Sequence, residues 1–150
     1  MHITILNGPN LNLLGTRQPE VYGATTLADI EHMCQRKAQA LGLEIEFNQT
    51  NHEGVLIDQI HAARSESDGL IINAGAYTHT SVALMDAVAS VSLPTVEVHL
   101  SNIHARESFR HTSFLSPVAL GLICGFGATG YVMALDGIWA HLTAADSPRP

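Results

Sequence analysis

The sequence predicts one doubly wound α/β domain, a five-stranded parallel sheet with helices on both faces. Two observations predict it. Short runs rich in β-branched residues alternate with stretches whose apolar residues recur at helical spacing. The chain is also 150 residues long with 46% hydrophobic and 14% charged residues, enough apolar material for a single real core and too much for disorder.

His2–Leu6 reads as the first strand, followed by a long loop from residue 7 to residue 24 rich in Asn, Gly and Pro. A helix begins near Leu27, where Leu27, Ile30, Cys34, Ala38 and Leu41 share one face. Thr26 and Asp29 have the spacing of a capping box at its start. Leu43–Asn48 is the second strand, and Leu56, Ile57, Ile60 and Ala63 mark a helix over Val55–Ala63. Leu70–Asn73 is the third strand, Val82–Val91 the third helix and Thr95–Val98 the fourth strand. A polar segment with a short helical piece spans Ser101–Ser116, Leu120–Cys124 is the fifth strand, and Ala128–Leu142 is the closing helix. Residues 1–142 thus form one domain, and 143–150 are expected to be a disordered polar tail. β/α units of this size and number suggest a flavodoxin-like sheet, whose ligands sit beyond the carboxyl ends of the strands where the strand order reverses. The loops after strands one, three and four are expected to meet there.

Composition removes several function classes. A net charge of -7 argues against nucleic acid, whose binding needs clustered Lys and Arg. Of the seven basic residues only Lys37 is a lysine, so Schiff-base chemistry would have to use it. It falls in the middle of the first helix, away from every strand end. Cys34 and Cys124 have neither disulfide-framework nor metal spacing and read as two buried free thiols in a reducing compartment. With no signal-like leader, the expected location is cytoplasmic. Val118–Leu135 carries no charge over 18 residues, but Gly121, Gly125, Gly127 and Gly130 divide it into a strand, a turn and a helix start rather than a membrane span. The GxGxxG at Gly125–Gly130 follows the last strand, so close strand–helix packing explains it better than a dinucleotide. His99, His104 and His111 lack zinc spacing, and no metal or cofactor is expected.

Three constellations remain, each with a plain alternative. The loop after strand one carries Arg17 and Tyr22 between Gly15 and Gly23: a hinged lid, or a surface loop with a solvated Arg and a packing Tyr. After strand three, Asn73-Ala74-Gly75-Ala76-Tyr77-Thr78-His79-Thr80-Ser81 would leave backbone N–H groups for an oxyanion; a simple helix N-cap by Thr80 or Ser81 accounts for it more economically. After strand four, Glu97 shares a strand face with His99 and would accept from one ring nitrogen, fixing the tautomer. A Glu on a central strand is costly to bury unless paired, which favours function over a salt-bridged surface loop. Arg106 and Arg110, at i,i+4, would point the same way on a helical turn.

Taken together, Gly8-Pro9-Asn10-Leu11-Asn12-Leu13-Leu14-Gly15, Arg17…Tyr22-Gly23, Asn51-His52-Glu53-Gly54, Ile72-Asn73-Ala74-Gly75…Thr78-His79-Thr80-Ser81 and Glu97-Val98-His99-Leu100-Ser101-Asn102…His104-Ala105-Arg106-Glu107 resemble the type II 3-dehydroquinate dehydratases, over about residues 2–142. The resemblance implies a lyase of the shikimate pathway or of quinate breakdown, without a cofactor. It would dehydrate 3-dehydroquinate to 3-dehydroshikimate by anti elimination through an enolate. Tyr22 would take the C2 proton, with Arg17 lowering its pKa. A phenol near pKa 10 must drop by ~3 units, about 4 kcal/mol. That is on the order of what one guanidinium at ~4 Å supplies at an effective dielectric of about 20. Asn10 would hold a water on the enolate oxygen. His99, oriented by Glu97, would protonate the departing C1 hydroxyl, and Asn73 would steer that hydroxyl and His99. The Leu100 and Ser101 backbone N–H groups, with the Ser101 hydroxyl, would hold the carboxylate. His79 and Arg110 would bind ring hydroxyls, Arg106 would orient the lid tyrosine, and Asp86 would reach in from a neighbouring subunit. The family assembles as dodecamers built from trimers, so a homo-oligomer is expected, with no nucleic-acid or membrane partner. One departure stands out: Gln18 occupies a lid position where the family more often has Glu.

Overall fold

The computed structural model describes residues 1–16 and 24–145, so Arg17, Gln18 and Tyr22 lie outside the described residues. Five parallel strands form one sheet: β1 (His2–Asn7), β2 (Glu44–Gln49), β3 (Gly69–Asn73), β4 (Thr95–His99) and β5 (Gly121–Cys124), in the order β2-β1-β3-β4-β5. The chain leaves β1 toward β2 on one side and returns to β3 on the other. The strand order therefore reverses at β1/β3, and the fold is flavodoxin-like as expected.

Among the described residues three helices cross between the strands, α1 (Leu27–Leu41), α2 (Glu53–Glu66) and α3 (Val82–Val91), and a fourth, α4 (Thr129–Ala145), follows β5 and packs back on the sheet. The pleat divides the strand side chains between two cores. Ile3, Ile5, Ile71, Val96 and Val98 pack with Ile30 and Cys34 of α1 and Ala134, Leu135 and Ile138 of α4. Leu6, Leu70 and Ile72 pack on the opposite face with Leu56 and Ile60 of α2 and Leu84, Val88 and Val91 of α3. At about 25 cal/mol per Å² of apolar area, each fully buried Ile or Leu contributes roughly 2 kcal/mol, so these two layers hold the sheet.

The helix starts follow from local chemistry. Thr26 Oγ1 accepts from Asp29 N at 3.1 Å while Asp29 Oδ2 accepts from Thr26 N at 2.9 Å, the reciprocal capping box. Ser81, not Thr80, caps α3 by accepting from Leu84 N at 2.9 Å. Lys37 donates to Asp136 at 2.5 Å, joining α1 to α4.

Several boundaries and assignments shift. α2 extends to Glu53–Glu66, a turn beyond the apolar stripe that marks it. α4 runs through Ala145, past the expected end at Leu142. The segment Ser101–Ser116 contains not one helical piece but 3-10 turns at Ile103–Ala105 and Ser108–Arg110, with a third beginning at Ser116. Arg106, between the first two, has extended backbone at φ -107° and ψ -163°, so no shared helical turn aligns it with Arg110. Cys34 is fully buried, and burial pushes its thiol up to about 12. Cys124 is only half-buried, because β5 is an edge strand. In the GxGxxG stretch, Gly125 and Gly127 adopt φ of +91° and +56° and supply turn geometry, while Gly130 lies where α4 packs on the sheet, a Cβ there meeting Ile123 and Val98 at 3.5 Å.

Candidate active site

The loops after β1, β3 and β4 enclose a cleft of about 320 Å³ at the carboxyl end of the sheet. Asn10, Asn73, His79, His99, Leu100, Ser101, Arg106 and Arg110 all line it. The first two loops lie so close that a Cβ on Gly8 would sit 2.4 Å from the Ala74 carbonyl oxygen, which only glycine permits. Asn10 takes the left-handed conformation, φ 68° and ψ -5°, with its N–H donating to Asn51 Oδ1 at 3.0 Å. Strained non-glycine backbone of this kind concentrates at functional sites.

The centre of the site is the end of β4. Glu97 and His99, two residues apart on one strand face, point toward the α2/α3 layer. His99 Nε2 donates to Glu97 Oε1 at 2.7 Å, leaving Nδ1 without a hydrogen-bond partner among the described residues. Glu97 is 0% exposed and His99 5%. Three hydroxyls complete the carboxylate's shell. Thr78 donates to Oε1, Ser113 lies 2.8 and 3.0 Å from the two oxygens, and Ser116 donates to Oε2 at 2.6 Å. Burial alone would raise the Glu97 pKa, but the bonds from His99, Ser116 and Thr78 outweigh it and bring the carboxyl from 4.5 down to about 2. The carboxylate is thus an anion at neutral pH that fixes one imidazole nitrogen as a donor and leaves the other at the cleft without a partner among the described residues.

His79 stacks beside His99, with ring centroids 6.2 Å apart and planes 17° from parallel. Its Nδ1 donates to the Thr112 carbonyl at 2.7 Å. Burial first, and then the nearby His99 and Arg110, lower its pKa, so the ring stays neutral with Nε2 as an acceptor. Opposite these, Arg110 Nε donates to Glu107 Oε2 at 3.0 Å, and Arg106 Nε lies 3.5 Å from the same oxygen. Arg106 Nη1 also lies 3.4 Å from the Ser101 hydroxyl. Glu107 therefore gathers the two guanidinium groups that a helical turn was expected to align.

Asn73 is 3% exposed and is held from beneath: its Nδ2 donates to Tyr131 Oη at 2.8 Å and its Oδ1 accepts from Gly75 N at 3.2 Å. Asp86 lies exposed on α3 and does not line the cleft of its own chain. Among the described residues, no three His, Cys, Asp or Glu side chains come together as metal ligands would. Lys37, tied to Asp136 on the helical flank, does not line the cleft. The sequence reading missed Ser113, Ser116, Glu107 and Tyr131 as participants. Only the hydroxyl-rich character of Ser101–Ser116, facing a buried Glu in need of donors, offered a signal for the first two.

The model of class II dehydroquinases matches residues 1–139. The 3-dehydroquinate dehydratase of Dinoroseobacter shibae is 99% identical over 150 residues, covering 100% of both chains. That of Ruegeria pomeroyi is 63% identical over 141 residues, 94% of this chain and 95% of the relative. The crystal structure of a type II dehydroquinase from Butyrivibrio crossotus superposes with a TM-score of 0.90 at 46% identity, covering 92% of this chain and 97% of that one. With the cleft, the buried Glu–His pair and these likenesses in agreement, the chain belongs to the class II dehydroquinase family.

Proposed function

We propose that this dehydroquinase converts 3-dehydroquinate to 3-dehydroshikimate by anti elimination through an enolate, with Tyr22 as base and His99 as acid. The observation that carries the acid assignment is the buried Glu97–His99 pair, whose second imidazole nitrogen has no partner among the described residues. Tyr22, activated by Arg17, removes the C2 proton beside the ketone; both lie outside the described residues and rest on the family's pattern. Asn10 holds a water against the enolate oxygen from its strained position at the cleft mouth. Leu100 and Ser101 receive the carboxylate beside Arg106. Neutral His79 and Arg110 take the ring hydroxyls.

His99 gives its proton to the C1 hydroxyl as the C–O bond breaks, and water leaves. Glu97 keeps the ring oriented throughout and balances the imidazolium charge without itself changing protonation. Asp86, exposed on α3, completes the site of a neighbouring copy in a dodecamer built from trimers. The chain works in the cytoplasm; no helix among the described residues is long and apolar enough to cross a membrane.

The test is direct. Adding 3-dehydroquinate to the purified protein produces a conjugated enone, read as a rise in ultraviolet absorbance, and no rise would sink the reading. In Tyr22→Phe, turnover falls by roughly a hundredfold or more while substrate affinity is retained. Near-normal turnover would remove Tyr22 as the base. Borohydride with substrate leaves activity intact, because no lysine lines the cleft among the described residues.

A further inference from the structure

Beneath the cleft, on the sheet face opposite Glu97, a chain of hydrogen bonds runs from Asn7 through Tyr131 to Asn73. β1 and β3 pair in a register that sets Asn7 beside Asn73 at the carboxyl ends of the two strands. Both follow the isoleucines Ile5 and Ile71 by two residues and so face the α1/α4 layer. Tyr131, in the first turn of α4, brings its hydroxyl between them. It donates to Asn7 Oδ1 at 2.6 Å and accepts from Asn73 Nδ2 at 2.8 Å. All three residues are buried: Asn7 and Tyr131 are 0% exposed and Asn73 3%.

The direction of every bond in this chain is determined from its ends. At one end Asn7 Nδ2 meets the Asn48 carbonyl at 3.0 Å, a group that only accepts. Asn7 must therefore turn its oxygen to Tyr131, and the phenol must donate to it. The phenol oxygen is left to accept, so Asn73 must present its nitrogen there. At the other end the Gly75 N–H, which only donates, meets Asn73 Oδ1 at 3.2 Å. Two backbone groups of fixed polarity thus set the orientation of both amides through one phenol. Without the hydroxyl, each amide would be held by its backbone partner alone, and two buried polar groups would lose a partner.

We propose that Tyr131 is a positioning residue: its hydroxyl holds the Asn73 amide in the one orientation that presents a fixed donor to the cleft. The inference rests on the reading that Asn73 steers the departing hydroxyl. Tyr131 itself touches neither substrate nor His99. A phenylalanine there would fill the same volume against Phe47, whose ring lies 6.4 Å away, and would remove only the relay. Freed of it, the Asn73 amide is held only by the longer 3.2 Å bond from the Gly75 N–H, and a loosened group at the reacting centre costs turnover rather than binding.

The experiment compares Tyr131→Phe, Asn73→Ala and the double variant in the full-length enzyme, with kcat, KM and thermal midpoint measured for each. Tyr131→Phe is expected to lower kcat by about tenfold to a hundredfold with KM changed less than about threefold. In the Asn73→Ala background the same substitution is expected to change kcat by less than about twofold, because the residue through which it acts is gone. A purely structural role would lower the thermal midpoint yet leave kcat of the folded fraction intact, or give additive losses in the double variant. Either result overturns the relay. If Asn73→Ala itself keeps full kcat, the role given to Asn73 in the reaction fails instead. Should Tyr131→Phe not fold, Asn7→Ala serves the same purpose. It leaves the phenol in place but frees its proton to turn toward Asn73, and an unchanged kcat there would count equally against the proposal.

Discussion

Glu97 and Glu107 both hold basic side chains of the same cleft, but the Glu97 side chain is fully buried and that of Glu107 is 54% exposed. Around Glu97 the donors are an imidazole and three neutral hydroxyls, so the negative charge is spread over short bonds in a place water does not reach. Around Glu107 the donors are two guanidinium groups, and its pKa is lowered by a hydrogen bond from its own backbone and by Arg110 and Arg106. Solvent screens that second arrangement, and exposed pairs of this kind add little stability. The difference teaches what each carboxylate is for. Glu97 fixes the orientation of one buried imidazole. Glu107 gathers two arginines at an exposed edge of the cleft, where solvent screens all three charges.

The largest test of the contrast is Glu97→Gln. The amide would set an NH₂ against hydroxyls or imidazole that now donate, so kcat should fall by about a hundredfold or more with KM little changed. A turnover close to wild type would break the comparison at its stronger end. Next is acid stability. The Glu97 carboxyl is depressed from 4.5 to about 2 in the folded chain, so the unfolded state binds more protons between those values. Its stabilisation, on the order of 3 kcal/mol, is present above pH 4.5 and is lost as pH falls toward about 2. Urea midpoints collected across that window should show the slope in wild type and a shallower one in Glu97→Gln; parallel slopes would count against the shell of donors.

Ser116→Ala should be milder. It removes one donor of four, raises the Glu97 pKa toward its ordinary value and destabilises by about 1 kcal/mol, with kcat down only a few-fold. Smallest is Glu107→Gln, expected to leave the thermal midpoint unchanged and to shift KM by less than about threefold, in a salt-dependent manner. A large loss of kcat there would mean that Glu107, too, fixes an obligatory geometry.

Those expectations also mark what a reader of the sequence could see. Glu97 was legible because a charge on a central strand is costly, and its partner two residues away had to share its face. The crevice was legible because alternating β and α segments admit few strand orders, and the ligand position follows from the reversal. Ser113 and Ser116 were not, since hydroxyls in a polar loop carry no period that points at a distant carboxylate. Arg106 and Arg110 were misread because i,i+4 spacing means alignment only on a continuous helix, and here the backbone is extended at Arg106 and Glu107 before the 3-10 turn that carries Arg110. Tyr131 was hidden most deeply. In sequence it is one more apolar residue on the stripe of a core helix, and its partner Asn7 lies 124 positions away. Only the strand register brings the two strand-end asparagines side by side beneath it.

The pairing of Lys37 with Asp136 has a practical side. Lys37 is the chain's only lysine, and it sits on the helical flank in the later turns of α1, which run back toward the amino ends of the strands. Lysine-directed chemistry therefore reaches the molecule from behind. A dye, a bead or a sensor surface attached this way would leave the cleft mouth facing solution, ready for measurement without any engineered handle.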